Sequence, residues 1–365
     1  MNVPAYEQME PEDLIFLKME ECGALLSDWF LREKRDMPWR TDPTPYHVYV
    51  SEIMLQQTRV DTVRPYYERF IAENPDVRSL SLCPEERLLK LWEGLGYYSR
   101  VRNMQKAAQK ICEVYGGEFP KEYEKLLTLP GIGAYTAAAI SSIAFHEKEA
   151  VVDGNVLRVI SRIAGLRDNT DLEKTKSRFR SALKSWLLGS GADPSDFNQS
   201  LMELGALVCL PNGEPHCSVC PVRAHCEAHL QGTIGEIPVR SPKKARKKRE
   251  MTVFMIYRGK SLLLIKNSRE SLLSGLYALP SCEGAADDEK IRDFLQELGI
   301  SDPIVRRLPV GRHIFTHIEW LMHGVEVRTE KGAPGLRFYS PEELETEVAV
   351  AEAYKKWPFE PMENL

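Results

Sequence analysis

Apolar residues recur at helical spacing from the start of the chain. Leu14, Leu17, Leu25, Leu26, Trp29 and Phe30 predict a helix over about 12–34. The run Arg35–Arg40 ends it, because Pro38 stops a helix and biases Met37 towards an extended backbone. Tyr46 to Phe70 predicts more helix, with a break at Pro65. Helical patterns continue to about residue 208, punctuated by Pro75, Pro84, Gly94, Gly96, Gly116-Gly117, Pro120 and Pro130. No alternating strand pattern stands out in the first 225 residues, so this part is expected to be all-α. From Met251 the pattern changes. TVFMIYR and KSLLLIKN read as strands, DDEKIRDFLQELG as a helix, and the stretch from Ile304 to Glu330 as further strands and turns. The second part is therefore expected to be α+β with its own core. We find no internal repeat.

Composition adds bounds rather than function. A chain of 365 residues exceeds one compact core, which points to two domains. No apolar run reaches the roughly 18 residues of a membrane span. The first residues, MNVPAYEQMEPEDLIFLKME, are acidic and lack the basic start and apolar core of a signal peptide. A cytoplasmic protein is expected, associated with the nucleoid if bacterial. The net charge of -5 argues against a uniformly basic coat but leaves room for a local basic surface. Seven of the ten residues from Arg240 to Arg249 are Lys or Arg, within a stretch (232–250) that reads as a linker. That run suits a solvated linker, or a contact with DNA or a partner.

Four of the eight cysteines crowd together as Cys209-x7-Cys217-x2-Cys220-x5-Cys226. In a reducing compartment such a cluster reads as metal ligation rather than disulfides. Zinc sites usually pair two C-x2-C knuckles, and only one is present here. The compact loop suits a [4Fe–4S] cluster better, with zinc as the alternative.

The densest chemical signal is LLTLPGIGAYTAAAISSIAFHEKEAVVDGNVLR, residues 126–158. Gly131 and Gly133 are expected to give a turn open to unusual backbone angles, and the small residues after it let a helix pack closely. Turn amides and a helix start can together hold a phosphate; an ordinary helix–helix turn is the plain alternative. Asp153, behind Val151-Val152, can cap the next helix, serve catalysis, or both. Glu52 lies among Val48, Tyr49, Val50, Ile53, Met54 and Leu55. A carboxyl there would be desolvated and kept protonated towards neutrality, unless it sits exposed at a helix start. In WEGLGYYSRVRN, Tyr97 and Tyr98 stand beside Arg100 and Arg102, as aromatic and basic groups do in nucleic-acid sites or in a core with solvated arginines.

These stretches resemble the helix–hairpin–helix DNA glycosylases, in particular the adenine DNA glycosylases of the MutY type. PWR at 38–40, SEIMLQQT at 51–58, WEGLGYYSRVRN at 92–103, LPGIGAYTA at 129–137, VDGNVLRV at 152–159, NQSLMELGALVC at 198–209 and the four cysteines carry the likeness, which spans the first 226 residues. GLYALPS at 275–281 and FTH at 315–317 extend it into the second part. The resemblance implies an all-α helix–hairpin–helix glycosylase fold with an iron–sulfur cluster loop, followed by an α+β MutT-like (Nudix-fold) domain. It places a six-helix barrel at about 35–129, a cluster domain at about 1–34 plus 130–231, a basic linker at 232–250 and the MutT-like domain at 251–365.

The resemblance also implies roles. Glu52 would protonate adenine N7 after the base is flipped out of duplex DNA. Asp153 would stabilise or capture the sugar cation, and Tyr135 and Asn155 would position the two carboxylates. Trp39, Arg40, Leu55 and Gln199 would surround the adenine. Gln57, Thr58 and Tyr97 would contact DNA near the opposing lesion, Gly131, Gly133 and Thr136 would hold phosphate, and Phe315, Thr316 and His317 would inspect 8-oxoguanine. The implied ligand is DNA with adenine opposite 8-oxoguanine or guanine, bound by a monomer, with a [4Fe–4S] cofactor on Cys209, Cys217, Cys220 and Cys226. Lyase-type relatives carry a lysine two residues after the last hairpin glycine. Tyr135 stands there, so base removal without strand cleavage is expected, against the alternatives of an endonuclease III-like lyase or a non-catalytic lesion binder. The first cysteine gap is one residue longer than the family's usual six. The Nudix box retains Arg292, Glu297 and Gly299 but has Ala278 and Gly284 where it needs Gly and Glu, with Asp293 and Gln296 at two acidic positions, so no pyrophosphate hydrolysis is expected.

Overall fold

The structure is a computed structural model and describes residues 9–242, 245–268, 273–331 and 335–361. It forms two compact units: residues 1–82 with 103–242, and residues 83–102 with 243–365.

The first unit is helical. Pro11–Glu33 forms a single helix, started by a proline in the first turn with Glu12 and Asp13 beside it, where acids favour the helix dipole. Its apolar face (Ile15, Met19, Cys22, Leu26, Phe30) packs on the helices Glu173–Ser190 and Pro194–Leu207 in one continuous core. Each such fully buried side chain contributes about 1.5–3 kcal/mol. Pro38–Thr41 is a short helix of its own. Next come the helices Pro45–Leu55 and Val60–Glu73. The expected break at Pro65 does not occur; Pro65 lies inside the second helix, and the chain breaks instead at 56–59. Proline forfeits one hydrogen bond, but Val63, Tyr67 and Phe70 bury that helix's face and hold it.

The hairpin uses its glycines unequally. Gly131 has φ 74°, and a Cβ there would stand 2.6 Å from the Asn103 Cβ. Gly133 is an ordinary extended residue (φ -93°, ψ -178°) at the start of helix Ala134–Ala139. The expectation that both need special angles therefore holds for Gly131 alone. A π-helical turn, Ile140–Ala144, follows. The helix Gly154–Ala164 begins at Asp153, whose Oδ1 accepts the Val156 N–H at 2.7 Å.

The second unit has a seven-stranded mixed sheet among its described residues. Its centre is Lys247–Arg258, parallel to Ile318–Arg328 in register from Lys247↔Ile318 to Tyr257↔Arg328. The helix Asp288–Glu297, capped by Asp287, covers a core of Phe254, Ile256, Leu263, Ile291, Leu295, Val325 and Val327. The strand begins at Lys247, inside the run read as linker and before the apolar pattern at Met251. A ladder needs only backbone groups, so exposed Lys and Arg can extend it without an apolar signature. Among the described residues no helix is long and apolar enough to cross a membrane.

Candidate active site

One cavity of about 560 Å³ in the first unit gathers all eight expected catalytic and base-pocket residues, and Thr58. Trp39, Arg40, Glu52, Leu55, Thr58, Tyr135, Asp153, Asn155 and Gln199 all line it. Its size lies within the usual range for a small-molecule pocket. Gln57 lines an adjoining cavity that shares Glu52, Tyr135 and Asp153. It has φ 60° and is exposed in the turn just past the Gln56 cap of the Pro45–Leu55 helix.

Glu52 sits in the last turn of that helix and is 7% exposed. Burial raises its carboxyl to a pKa of about 7; the Tyr135 hydroxyl lowers it, Asp153 raises it and Arg40 lowers it. The Tyr135 hydroxyl donates to Glu52 Oε2 at 2.5 Å. Burial also raises the Tyr135 phenol, which stays neutral. Asp153 is likewise raised by burial, opposed by hydrogen bonds from the Val156 N–H and from Asn155. Asn155 Nδ2 donates to Asp153 Oδ2 at 2.9 Å. The cap and the cavity acid are therefore one carboxylate.

Residues outside the expected set organise this centre. Arg158, one turn along from Asn155, donates to Asn155 Oδ1 at 2.9 Å and to the Gly205 carbonyl at 2.8 Å. That contact orients the amide, so its N–H₂ faces Asp153. Gly205 makes room for this: a Cβ there would stand 2.6 Å from the Asn155 Cβ. Glu203, 2% exposed, receives Arg35 Nε at 2.8 Å, Arg35 Nη2 at 2.9 Å and Arg40 Nη2 at 3.0 Å. Burial alone would raise its carboxyl, but Arg35 and Arg40 hold it down to about 2. Arg40 also donates to Gln199 Oε1 at 3.0 Å. The only local signal was the tight NQSLMELGA stretch, since Glu203 finds its arginines 168 and 163 residues away.

Not every expected residue reaches a surface. Thr136 is 2% exposed, so its side chain is held inside the fold rather than offered to a ligand. Gly131 and Gly133 are exposed in the turn. In the second unit, Tyr97 (φ 47°) is 49% exposed, and its hydroxyl bonds the Thr316 hydroxyl. Tyr98, by contrast, is buried. Thr316 and His317 are exposed, while Phe315 packs edge-on against His313 and Trp320. Arg100 lies over the Trp92 ring, and burial lowers its pKa to about 10.

Comparison with known proteins decides the family. Residues 50–186 match the HhH-GPD superfamily of base excision DNA repair proteins, and residues 252–357 match a NUDIX domain. The chain is 34% identical to the adenine DNA glycosylase of Mus musculus, covering 91% of this chain and 76% of that protein. The chain belongs to the adenine DNA glycosylase family. The human adenine DNA glycosylase is likewise 34% identical over 92% of this chain and 72% of its own length. That of Buchnera aphidicola from Acyrthosiphon pisum is 32% identical over 80% and 82%. Among solved structures, a thermostable thymine-DNA glycosylase aligns with 59% of this chain and 98% of its own, at TM-score 0.53 and 27% identity. This chain is thus a DNA glycosylase of base excision repair, with a helical helix–hairpin–helix region and an α+β NUDIX-like unit.

The four cysteines of this adenine DNA glycosylase line a small apolar cavity with Val159, Ile163, Leu204, Val208 and Val222. Arg162 Nη1 donates to Cys209 Sγ at 3.2 Å. Burial pushes Cys220 up to about 12 and Cys226 up to about 11, so as free thiols they would stay protonated. Among the described residues no three His, Cys, Asp or Glu side chains are drawn together tightly enough for a metal ion. Four thiol sulfurs around one cavity are the donor set that an iron–sulfur cluster or a zinc ion takes.

Proposed function

We propose that this adenine DNA glycosylase removes adenine paired with 8-oxoguanine, or with guanine, and leaves the strand intact. The observation that carries the reading is Glu52, a buried carboxyl with a pKa of about 7, on the same cavity as Asp153. Adenine flipped out of the duplex enters the cavity. Glu52, about half protonated at neutrality, gives its proton to N7 and turns the base into a neutral leaving group. The C1′–N9 bond breaks, and positive charge develops on the sugar. Asp153 meets that charge as a carboxylate, held by Val156 N–H and Asn155. Water adds at C1′, and its proton returns to Glu52. Tyr135 holds the Glu52 carboxyl in place, while Arg40 and Gln199 line the base pocket. The pairing of Tyr97 with Thr316 beside Phe315 and His317 supports a surface that reads the opposing base.

The four cysteines are proposed to hold a [4Fe–4S] cluster, whose part is to fix the segment 209–226 rather than to act on the base. Strand cleavage would need an amine nucleophile, and Tyr135 occupies the hairpin position from which one would act. Lys34 does line the cavity, but its Nζ is drawn over the Phe30 ring, 5.3 Å from its centre.

Base release from an 8-oxoguanine:A duplex is the test, with wild type beside Glu52→Gln and Asp153→Asn. Wild type should yield abasic sites that break only after alkali, and each variant should lose about 10²–10⁴-fold in rate while still binding DNA. Unchanged adenine with cluster-loaded wild type sinks the proposal. A borohydride-trapped covalent adduct would replace it with a lyase.

A further inference from the structure

The basic run 240–249 has no role in the chemistry above, yet its residues do not share one fate. Arg240 is paired with Asp171 at 3.0 Å. Lys243 and Lys244 lie outside the described residues. Arg249 lies 6.0 Å from the Trp320 ring centre and pairs with Glu283 at 3.3 Å. Arg246, Lys247 and Lys248 remain, all exposed, at the start of the central strand.

The parallel register fixes where the two lysines stand, with Arg246 directly before them. Lys247 lies opposite Ile318, Lys248 opposite Glu319 and Arg249 opposite Trp320. The Lys247 N–H donates to the His317 carbonyl at 2.9 Å. The basic strand is therefore bonded directly to the turn that carries Phe315, Thr316 and His317. Across the turn, Arg312 pairs with Glu319 at 2.6 Å and keeps its own side chain 61% exposed. The Glu319 carboxyl is held below its usual range by Arg312 first, with Lys248 and Arg246 adding to the effect. One carboxylate thus sits among three cations, in a chain whose net charge is -5. A merely solubilising surface has no need to concentrate cations on one sheet corner in an acidic protein, whereas an anionic polymer does.

We propose that Arg246 and Lys248, which share a face with Arg312 while Lys247 points to the other, form with Arg312 a phosphate-binding strip of the NUDIX-like unit that grips the DNA backbone beside the Phe315–His317 turn. This rests on the reading of that turn as facing DNA. The contacts are to phosphate, so they add affinity and register without selecting a base. The strip would also make the end of the linker part of the DNA-binding surface.

The test uses the full chain and two duplexes, one undamaged and one carrying 8-oxoguanine opposite a non-cleavable 2′-fluoro adenosine. Affinity is measured across a salt series for wild type, for the double variant Arg246→Ala/Lys248→Ala, and for a charge-keeping Arg246→Lys/Lys248→Arg variant. Each lost phosphate contact should reduce the log–log salt slope by about 0.9. The double alanine variant should therefore lose about two from the slope and bind both duplexes roughly 10-fold more weakly at moderate salt. The charge-keeping variant should keep the wild-type slope. An unchanged slope in the alanine variant, with an unchanged melting temperature, overturns the strip. A slope that falls equally in both variants overturns it too, because the effect would then be structural. Failure of wild type to release adenine would instead strike the proposed function, since the undamaged duplex still reports on the strip.

Discussion

Two buried glutamates border the same cavity and are driven in opposite directions. Glu52 is lifted to about 7, and Glu203 is held down to about 2. Their exposures, 7% and 2%, barely differ. Partners make the difference. Glu203 receives two guanidiniums, whereas Glu52 receives a neutral phenol and faces a second acid, Asp153. Burial alone therefore says that a carboxyl is perturbed, and only its neighbours say which way. In the proposed reaction the cavity uses both outcomes, with a proton donor at one side and a fixed anion anchoring Arg40 at the other.

The largest test of that contrast is the pH dependence of base release. In the proposed reaction Glu52 must carry its proton, so the single-turnover rate should fall about tenfold per pH unit above about 7, with a plateau below. The sign follows from a raised carboxyl: protonation is complete below its folded pKa and lost as pH rises through it. A flat profile across pH 6–9 would remove Glu52 from the role.

Glu203→Gln comes next. It leaves Arg35 and Arg40 without their counter-charge and should destabilise the fold by about 3 kcal/mol, read from denaturant melts. Because the folded carboxyl is depressed, the wild-type contribution is present above about pH 4.5 and is lost as pH falls towards 2. The variant should therefore converge on wild type in acid. A deficit that stays constant with pH would mean that shape, not charge, is at stake.

The smallest expected effect is that of Tyr135→Phe. Removing the donor relieves the hydrogen bond that lowers Glu52, so the alkaline limb should move upward by about one pH unit. A downward shift would show that Tyr135 stabilises the protonated form instead.

The sequence made one of these glutamates far easier to read than the other. Glu52 announces itself through six apolar neighbours within a few residues. Glu203 sits in LMELGAL, where a glutamate reads as an exposed helix residue, because both of its partners come from a distant stretch of chain. Asp153 was legible as a cap, and it both caps its helix and lines the cavity. Arg158 and Gly205 were not, since their importance lies in how closely two helices approach around Asn155. Pro65 misled for the reverse reason: a strong local signal was outweighed by three buried side chains on its helix. The all-α and α+β halves were plain from periodicity, but the start of the central strand was not, because its first residues are paired through backbone alone.

That strand carries a vulnerability of its own. Side chains along it alternate between faces, and its pairing with Ile318–Arg328 begins at Lys247, where the apolar core offers no grip. One residue added between Lys248 and Met251 would leave the core pairs from Met251 onward in register. It would also turn every preceding cation to the opposite face of the sheet. Natural length variation in the linker should thus be tolerated before Arg246 and forbidden after it.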